Sequence, residues 1–196
     1  LTAAVAPLAT AILYDRGSFS GADLSLTAMI VAVSAPLVVT WTVQPALTSA
    51  LNARRRGTVL LAAGLMSTVG NITLDIVFGY YLGVVGIPLA TVCISIVVVA
   101  FMGNRVIRFE SSLSARAVFR TFLKSLLAIL PIAAIIAFPI WTGQIGDGLP
   151  VRITALVSAG VLGLAGYYVL ARALGLEEAG AILGFMARTL RRLRPR

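Results

Sequence analysis

Asp75 is the acidic residue that stands inside a long apolar run, Val69-Gly70-Asn71-Ile72-Thr73-Leu74-Asp75-Ile76-Val77-Phe78. A carboxylate within a bilayer costs at least a few kcal/mol, so by default it points to function. Asn71 precedes it by four residues, and on a helix that spacing stacks amide and carboxylate oxygens one turn apart on one face. Hard oxygen ligands placed in this way suit a small cation, sodium or a proton equivalent. The next apolar run opens Gly83-Val84-Val85-Gly86-Ile87-Pro88-Leu89-Ala90-Thr91, where Pro88 has no amide hydrogen to give the carbonyl of Val84. Carboxylate, amide, hydroxyl and freed carbonyls at a helix break are the usual parts of a cation site in a membrane. The same residues also read as packing groups: Asn71 and Asp75 bonding neighbouring helices, or Asp75 hydrated near the end of its span, where Gly79 and Tyr80 follow.

Other groups offer less. Arg54, Arg55 and Arg56 at a helix-to-helix turn could meet a phosphate head group, because guanidinium forks match phosphate oxygens. Topology and lipid anchoring explain them more simply. Pro36 and Pro45 fall in one long run with Trp41 and Gln44 and predict kinks or a hinge. Gly160, Gly163 and Gly166 form a small-residue stripe that permits close helix approach. The chain has no His, and its one cysteine, Cys93, lies in an apolar run and reads as packing. No nucleophile with its base, metal cluster or phosphate-cradling loop is present, so the sequence offers no parts for catalysis.

The elements that must position these groups are membrane spans. Of the 196 residues, 59% are hydrophobic and 12% charged, against roughly 45–50% and 25% in soluble domains. Runs at residues 24–51, 59–82, 84–102, 122–141 and 153–170 are long enough, or nearly so, to cross. Residues 1–13 cover only about 20 Å as a helix and read as the exit half of a span that begins upstream. Residues 176–196 carry apolar positions at spacings of three and four ahead of a cluster of arginines, the pattern of a surface-lying amphipathic helix. The expected fold is therefore all-α: a polytopic bundle of about six spanning segments, the first truncated, over residues 1–175, and a basic amphipathic tail over 176–196.

The net charge of +9 would by itself admit nucleic acid. Its distribution assigns it to the membrane instead. The loop with Asp15, Arg16 and Asp23 is net negative, that with Arg54, Arg55 and Arg56 positive, and the Tyr80–Gly83 turn uncharged. The segment from Arg105 to Lys124 is again strongly basic, the loop holding Asp147 and Arg152 is neutral, and the tail is basic. This alternation is the positive-inside pattern and places the basic segments, the C-terminus included, in the cytoplasm of a multi-pass protein of the cytoplasmic membrane.

In order along the chain, Tyr14-Asp15-Arg16-Gly17-Ser18-Phe19, the basic turn after Ser49-Ala50, Asn71-x-x-x-Asp75 and Gly83-x-x-Gly86-x-Pro88-x-Ala90-Thr91 resemble the carboxy-terminal part of the MurJ/MviN lipid II flippases. At the turn the chain reads Asn52-Ala53-Arg54-Arg55-Arg56-Gly57-Thr58, where the family carries an Asp and a Thr-Pro. The resemblance implies a fourteen-helix flippase whose last six helices are present, exporting a lipid-linked saccharide by cation-coupled alternating access. It implies sodium held by Asn71, Asp75, the Ile87 carbonyl and Thr91, together with an acid from an earlier helix that is absent here. The partners implied are the lipid-linked substrate, membrane lipids, and the missing amino-terminal half or a second chain. A cation-coupled drug, small-solute or polysaccharide exporter, or a non-transporting membrane scaffold, would share much of this pattern.

Overall fold

The computed structural model describes residues 1–14, 20–109, 114–146 and 148–175, with nothing said of the Ala115 side chain. The expected amphipathic tail, 176–196, the exit loop from Asp15 to Phe19, and Asp147 lie outside the described residues. Every described element is helical: α1 (Thr2–Tyr14), α2 (Gly21–Ser34), α3 (Pro36–Ala53), α4 (Gly57–Leu82), α5 (Gly86–Phe109), α6 (Ala115–Trp141) and α7 (Leu149–Ala173), with a 3-10 turn at Gly83–Val85 between α4 and α5.

Four helical stretches are long and apolar enough to cross a bilayer: Gly21–Ala53, Gly57–Phe109, Arg116–Trp141 and Leu149–Ala173. The six apolar runs map onto them unevenly. Thr2–Tyr14 is too short. The run at 24–51 becomes α2 and α3, parted at Ala35 because Pro36 has no amide hydrogen and takes the first position of α3. Ala35 instead donates to the carbonyl of Ala32, at 3.2 Å, the tightened bonding of a 3-10 turn. The runs at 59–82 and 84–102 join in one stretch that doubles back at Gly83, whose φ of +61° is the left-handed region glycine adopts without strain. Ser20 opens α2 with a capping box: its hydroxyl accepts from the Asp23 amide at 3.2 Å, and its own amide donates to the Asp23 carboxylate at 3.0 Å.

The contacts divide the chain into two compact units, one of residues 6–115 with Thr2, the other of residues 116 onward with Leu1 and Ala3–Val5. In the first, the core is Leu51, Ala63, Ile94, Val98 and Met102, so α5 is the element on which α3 and α4 both pack. In the second, Ala4, Ile136 and Ala159 form the core. The glycine stripe of α7 divides its work: Gly163 lies under Leu1, a Cβ at Gly166 would stand 3.1 Å from the Ile132 side chain, and Gly160 faces open space. At the basic end of this unit the Lys124 ammonium donates to the Leu174 carbonyl at 2.7 Å, a cation at the negative end of α7.

Most large apolar side chains are exposed, Leu61, Leu65, Val69 and Ile76 on α4 among them. In water this would be a liability; against lipid it is the expected covering. Aromatic residues mark the ends opposite the arginines: Tyr80 and Tyr81, in an edge-to-face pair 5.2 Å apart, close α4, and Trp141 closes α6. Helices basic at one end and aromatic at the other are what a bilayer with a charged inner face selects.

The α4–α5 hairpin depends on one absent side chain. A Cβ on Gly86 would fall on the carbonyl of Phe78, with the Gly79 nitrogen 3.0 Å away, and backbone cannot yield as a side chain can. Gly86→Ala is therefore expected to destabilise the hairpin by about 1–3 kcal/mol, the usual range for overpacking. Gly103→Ala on the same helix, where a Cβ meets nothing within 4 Å, should be neutral or stabilising. Thermal unfolding of the two variants in detergent makes the comparison, and equal midpoints would refute the close-approach account.

Candidate cation site and the basic end of the bundle

The register of the hairpin decides which candidate ligands meet. Gly70 lies under Ile94, Gly79 faces Ile87, and Phe78 faces Gly86. One number in each pair rises as the other falls, so the helices are antiparallel, and residue 75 stands level with residues 89–91. Asp75 on α4 and Thr91 on α5 thus share a level, about 10 Å from the Leu82 end of α4 at 1.5 Å per residue. Asn71 lies one turn deeper.

Both side chains are half-buried. One oxygen of each, Oδ1 of Asn71 and Oδ1 of Asp75, is shut away from solvent with no hydrogen-bond partner among the described residues. A buried acceptor left in this state costs about 1–3 kcal/mol, so two such oxygens a turn apart call for something to complete them. The reading of these residues as helix-packing groups bonded to neighbours finds no such bond on these two atoms. The Thr91 hydroxyl donates to the Ile87 carbonyl at 3.2 Å, which brings these two candidate ligands together. Pro88 sits in the first turn of α5, where a missing amide hydrogen is tolerated, so the break in the backbone is the 3-10 turn before it rather than the proline itself. The candidate oxygens, one carboxylate and one amide on α4 and one hydroxyl and one carbonyl on α5, are of the hard kind an alkali cation takes. No group of three His, Cys, Asp or Glu stands together among the described residues.

The arginines at the opposite end are not equivalent. The Arg56 guanidinium lies 4.3 Å from the centroid of the Phe109 ring, which fastens the α3–α4 turn to the end of α5, and Arg105 lies 5.2 Å from that of Phe101. Arg55 takes a left-handed conformation, φ +54°, to close the turn. Sequence reasoning missed both rings. The spacing Phe101, Arg105, Phe109 at i, i+4, i+8 was the available signal for a shared face on α5, whereas the pairing of Phe109 with residue 56 is a tertiary contact. Of the two hinge prolines, Pro36 separates two helices while α3 runs on through Pro45. Pro45 lies in an open groove with Trp41, Gln44, Thr48 and Ser49.

These features are those of a polytopic helical membrane protein with unsatisfied oxygens inside one of its spans. A family model, lipid II flippase MurJ, matches residues 1–156. The chain belongs to the MurJ lipid II flippase family, whose members move a lipid-linked saccharide across a membrane without making or breaking bonds in it. Searches of the curated proteins and of the solved structures returned no match.

The orphaned oxygens carry a stability prediction of their own. Replacing Asn71 with Leu removes an unsatisfied acceptor in similar volume, so in sodium-free detergent Asn71→Leu should unfold at a higher temperature than the parent, by about 1–2 kcal/mol of stabilisation. A lower melting temperature would mean that the amide is bonded after all.

Proposed function

We propose that the protein flips a lipid-linked saccharide, the peptidoglycan precursor lipid II, across the cytoplasmic membrane by alternating access coupled to a cation held at Asn71, Asp75, the Ile87 carbonyl and Thr91. Family membership supports the substrate. The observation that supports the coupling is the pair of buried, unpartnered oxygens on α4 level with and one turn below Thr91. Sodium there would neutralise the carboxylate and complete the coordination of both oxygens, drawing α4 and α5 together at that level. Further ligands would come from helices outside this chain, its own amino-terminal half or a partner. Pro36, at the parted junction of α2 and α3, is the hinge this reading assigns, with Pro45 as a second flexible point. Arg55 and Arg54 would meet the diphosphate at the cytoplasmic mouth, with Arg56 held to Phe109. The basic ends of α5 and α6 support an inside-facing C-terminus.

Removing the charge separates coupling from structure. In vesicles reconstituted with the protein, Asp75→Asn should abolish the dependence of lipid II flipping on a sodium gradient. It should also weaken the sodium-induced thermal stabilisation of the parent by roughly 10- to 100-fold in apparent affinity, the scale of one charge-assisted ligand. Flipping that keeps its full sodium dependence in Asp75→Asn would end the coupling proposal while leaving the family assignment intact.

A further inference from the structure

The α3 helix presents three faces, one packed on the core and two turned outward. Thr40, Leu47 and Leu51 turn toward the core and are buried or half-buried, Leu47 and Leu51 packing with Ile94, Val98 and Met102. Val39, Val43 and Ala46 form an exposed apolar face suited to lipid. On the third face, Trp41, Gln44, Pro45, Thr48 and Ser49 border a shallow open groove along α3. At 100° per residue these five positions span an arc of about 140°.

This face is polar where a membrane helix should not be. Trp41 stands twelve residues before Ala53 at the cytoplasmic end, about 18 Å along the axis, near the middle of a hydrocarbon core about 30 Å thick. Gln44, Thr48 and Ser49 continue from that depth to the basic turn. Thr40 and Thr42 satisfy their hydroxyls on the carbonyls of Leu37 and Val39, at 3.0 and 2.8 Å. The side chains of Gln44, Thr48 and Ser49 make no hydrogen bond among the described residues. Pro45 further leaves the Trp41 carbonyl without its i+4 donor on the same side. Polar groups at this depth must meet a polar occupant.

We infer that this groove binds the saccharide of the lipid-linked substrate, an inference that rests on the flippase reading above. The lining matches a neutral polyol. The indole of Trp41, 63% exposed, offers a flat apolar face to the C–H face of a pyranose. The amide, the two hydroxyls and the freed carbonyl offer donors and acceptors to its hydroxyl groups. No charged side chain is among the described residues that line the groove, which disfavours an organic cation, and the arginines of the turn that ends α3 would stand at its cytoplasmic mouth, where a diphosphate linker would lie. The groove's direction, from mouth to mid-membrane, gives the sugar a polar path.

The chain has two tryptophans, so in the full protein Trp141→Phe leaves Trp41 as the reporter from this segment, any indole outside it being replaced likewise. This protein in detergent is titrated with a polyprenyl-diphosphate-linked saccharide and, separately, with the same polyprenyl diphosphate lacking sugar; binding is followed by thermal stabilisation and by Trp41 emission. The saccharide lipid should shift or quench Trp41 emission and the sugar-free lipid should not. Gln44→Leu and Thr48→Val should each weaken the saccharide lipid by roughly five- to tenfold, a neutral hydrogen bond's share, and leave the sugar-free lipid unaffected. Thermal stabilisation by the saccharide lipid with Trp41 silent, or equal emission changes with both lipids, overturns the groove assignment and leaves the flippase reading standing; the first result would mean that α3 packs this face on another helix. Failure of both lipids to stabilise the protein overturns both readings.

Discussion

The approach of Gly86 to the carbonyl of Phe78 is the contact on which the first unit depends. Two helices that meet backbone to backbone cannot slide, because any other register would bring a side chain where only a hydrogen fits. Gly70 repeats the device two turns deeper, leaving room for Ile94. The pairing that follows sets Asp75 level with Thr91 and turns Ile94, Val98 and Met102 toward Leu51 and Ala63. Core and candidate site are thus two consequences of one register. The left-handed Gly83 and the 3-10 turn supply the reversal that makes this register reachable.

The bilayer then determines which groups are strained. Exposed leucines and valines on α4 and α7 are at rest in lipid, whereas Asn71, Asp75 and the polar face of α3 are not. Native structures satisfy nearly all buried polar groups, so each unsatisfied one calls for an explanation. The protein keeps its stability in the hairpin contact and the small cores and gives some of it up at these two places. This distribution is the one expected when binding, rather than folding, completes the polar contacts.

The features legible in the sequence were those that act through local chemistry. Asp75 stood out because hydropathy alone condemns a carboxylate in such a run, and the division into apolar runs and charged loops followed from composition, which acts residue by residue. The break at Pro36 followed from a missing hydrogen, yet the same residue at 45, 131 and 139 lies inside helices that continue. Nothing local distinguishes them, since neighbouring packing decides whether the lost bond opens a helix. Pro88 misled in the opposite sense: the expected break was placed on it, while the first turn of α5 absorbs it. Three adjacent arginines looked alike, and the difference among them came from Phe109, more than fifty positions away. The four stretches take up the expected runs unevenly: α1 is too short to cross, 24–51 forms α2 and α3, and 59–82 and 84–102 are the two arms of one stretch that doubles back at Gly83, where the sequence already placed a turn.

The candidate cation site and the groove of α3 have a common neighbour, and its stiffness bears on how they could work together. Thr91 lies near the start of α5, and Ile94, Val98 and Met102 follow at spacings of three or four on the face that packs against α3. A helix of 24 residues moves nearly as a rod, so a displacement at Thr91 cannot be absorbed before it reaches Leu47 and Leu51. Those leucines belong to the same two turns of α3 as Gln44, Thr48 and Ser49, on the adjoining face. A shift of α5 toward α4 at the level of Asp75 must therefore either open a void at Leu51, which is 1% exposed, or carry α3 with it. Closely packed interiors resist voids, each costing about 1 kcal/mol for a methyl-sized gap, so in such a shift α3 would follow and carry its polar face with it. Because α2 also packs on α5 and on the Gly83–Val85 turn, the parted junction at Ala35 would let α2 and α3 answer such a shift separately.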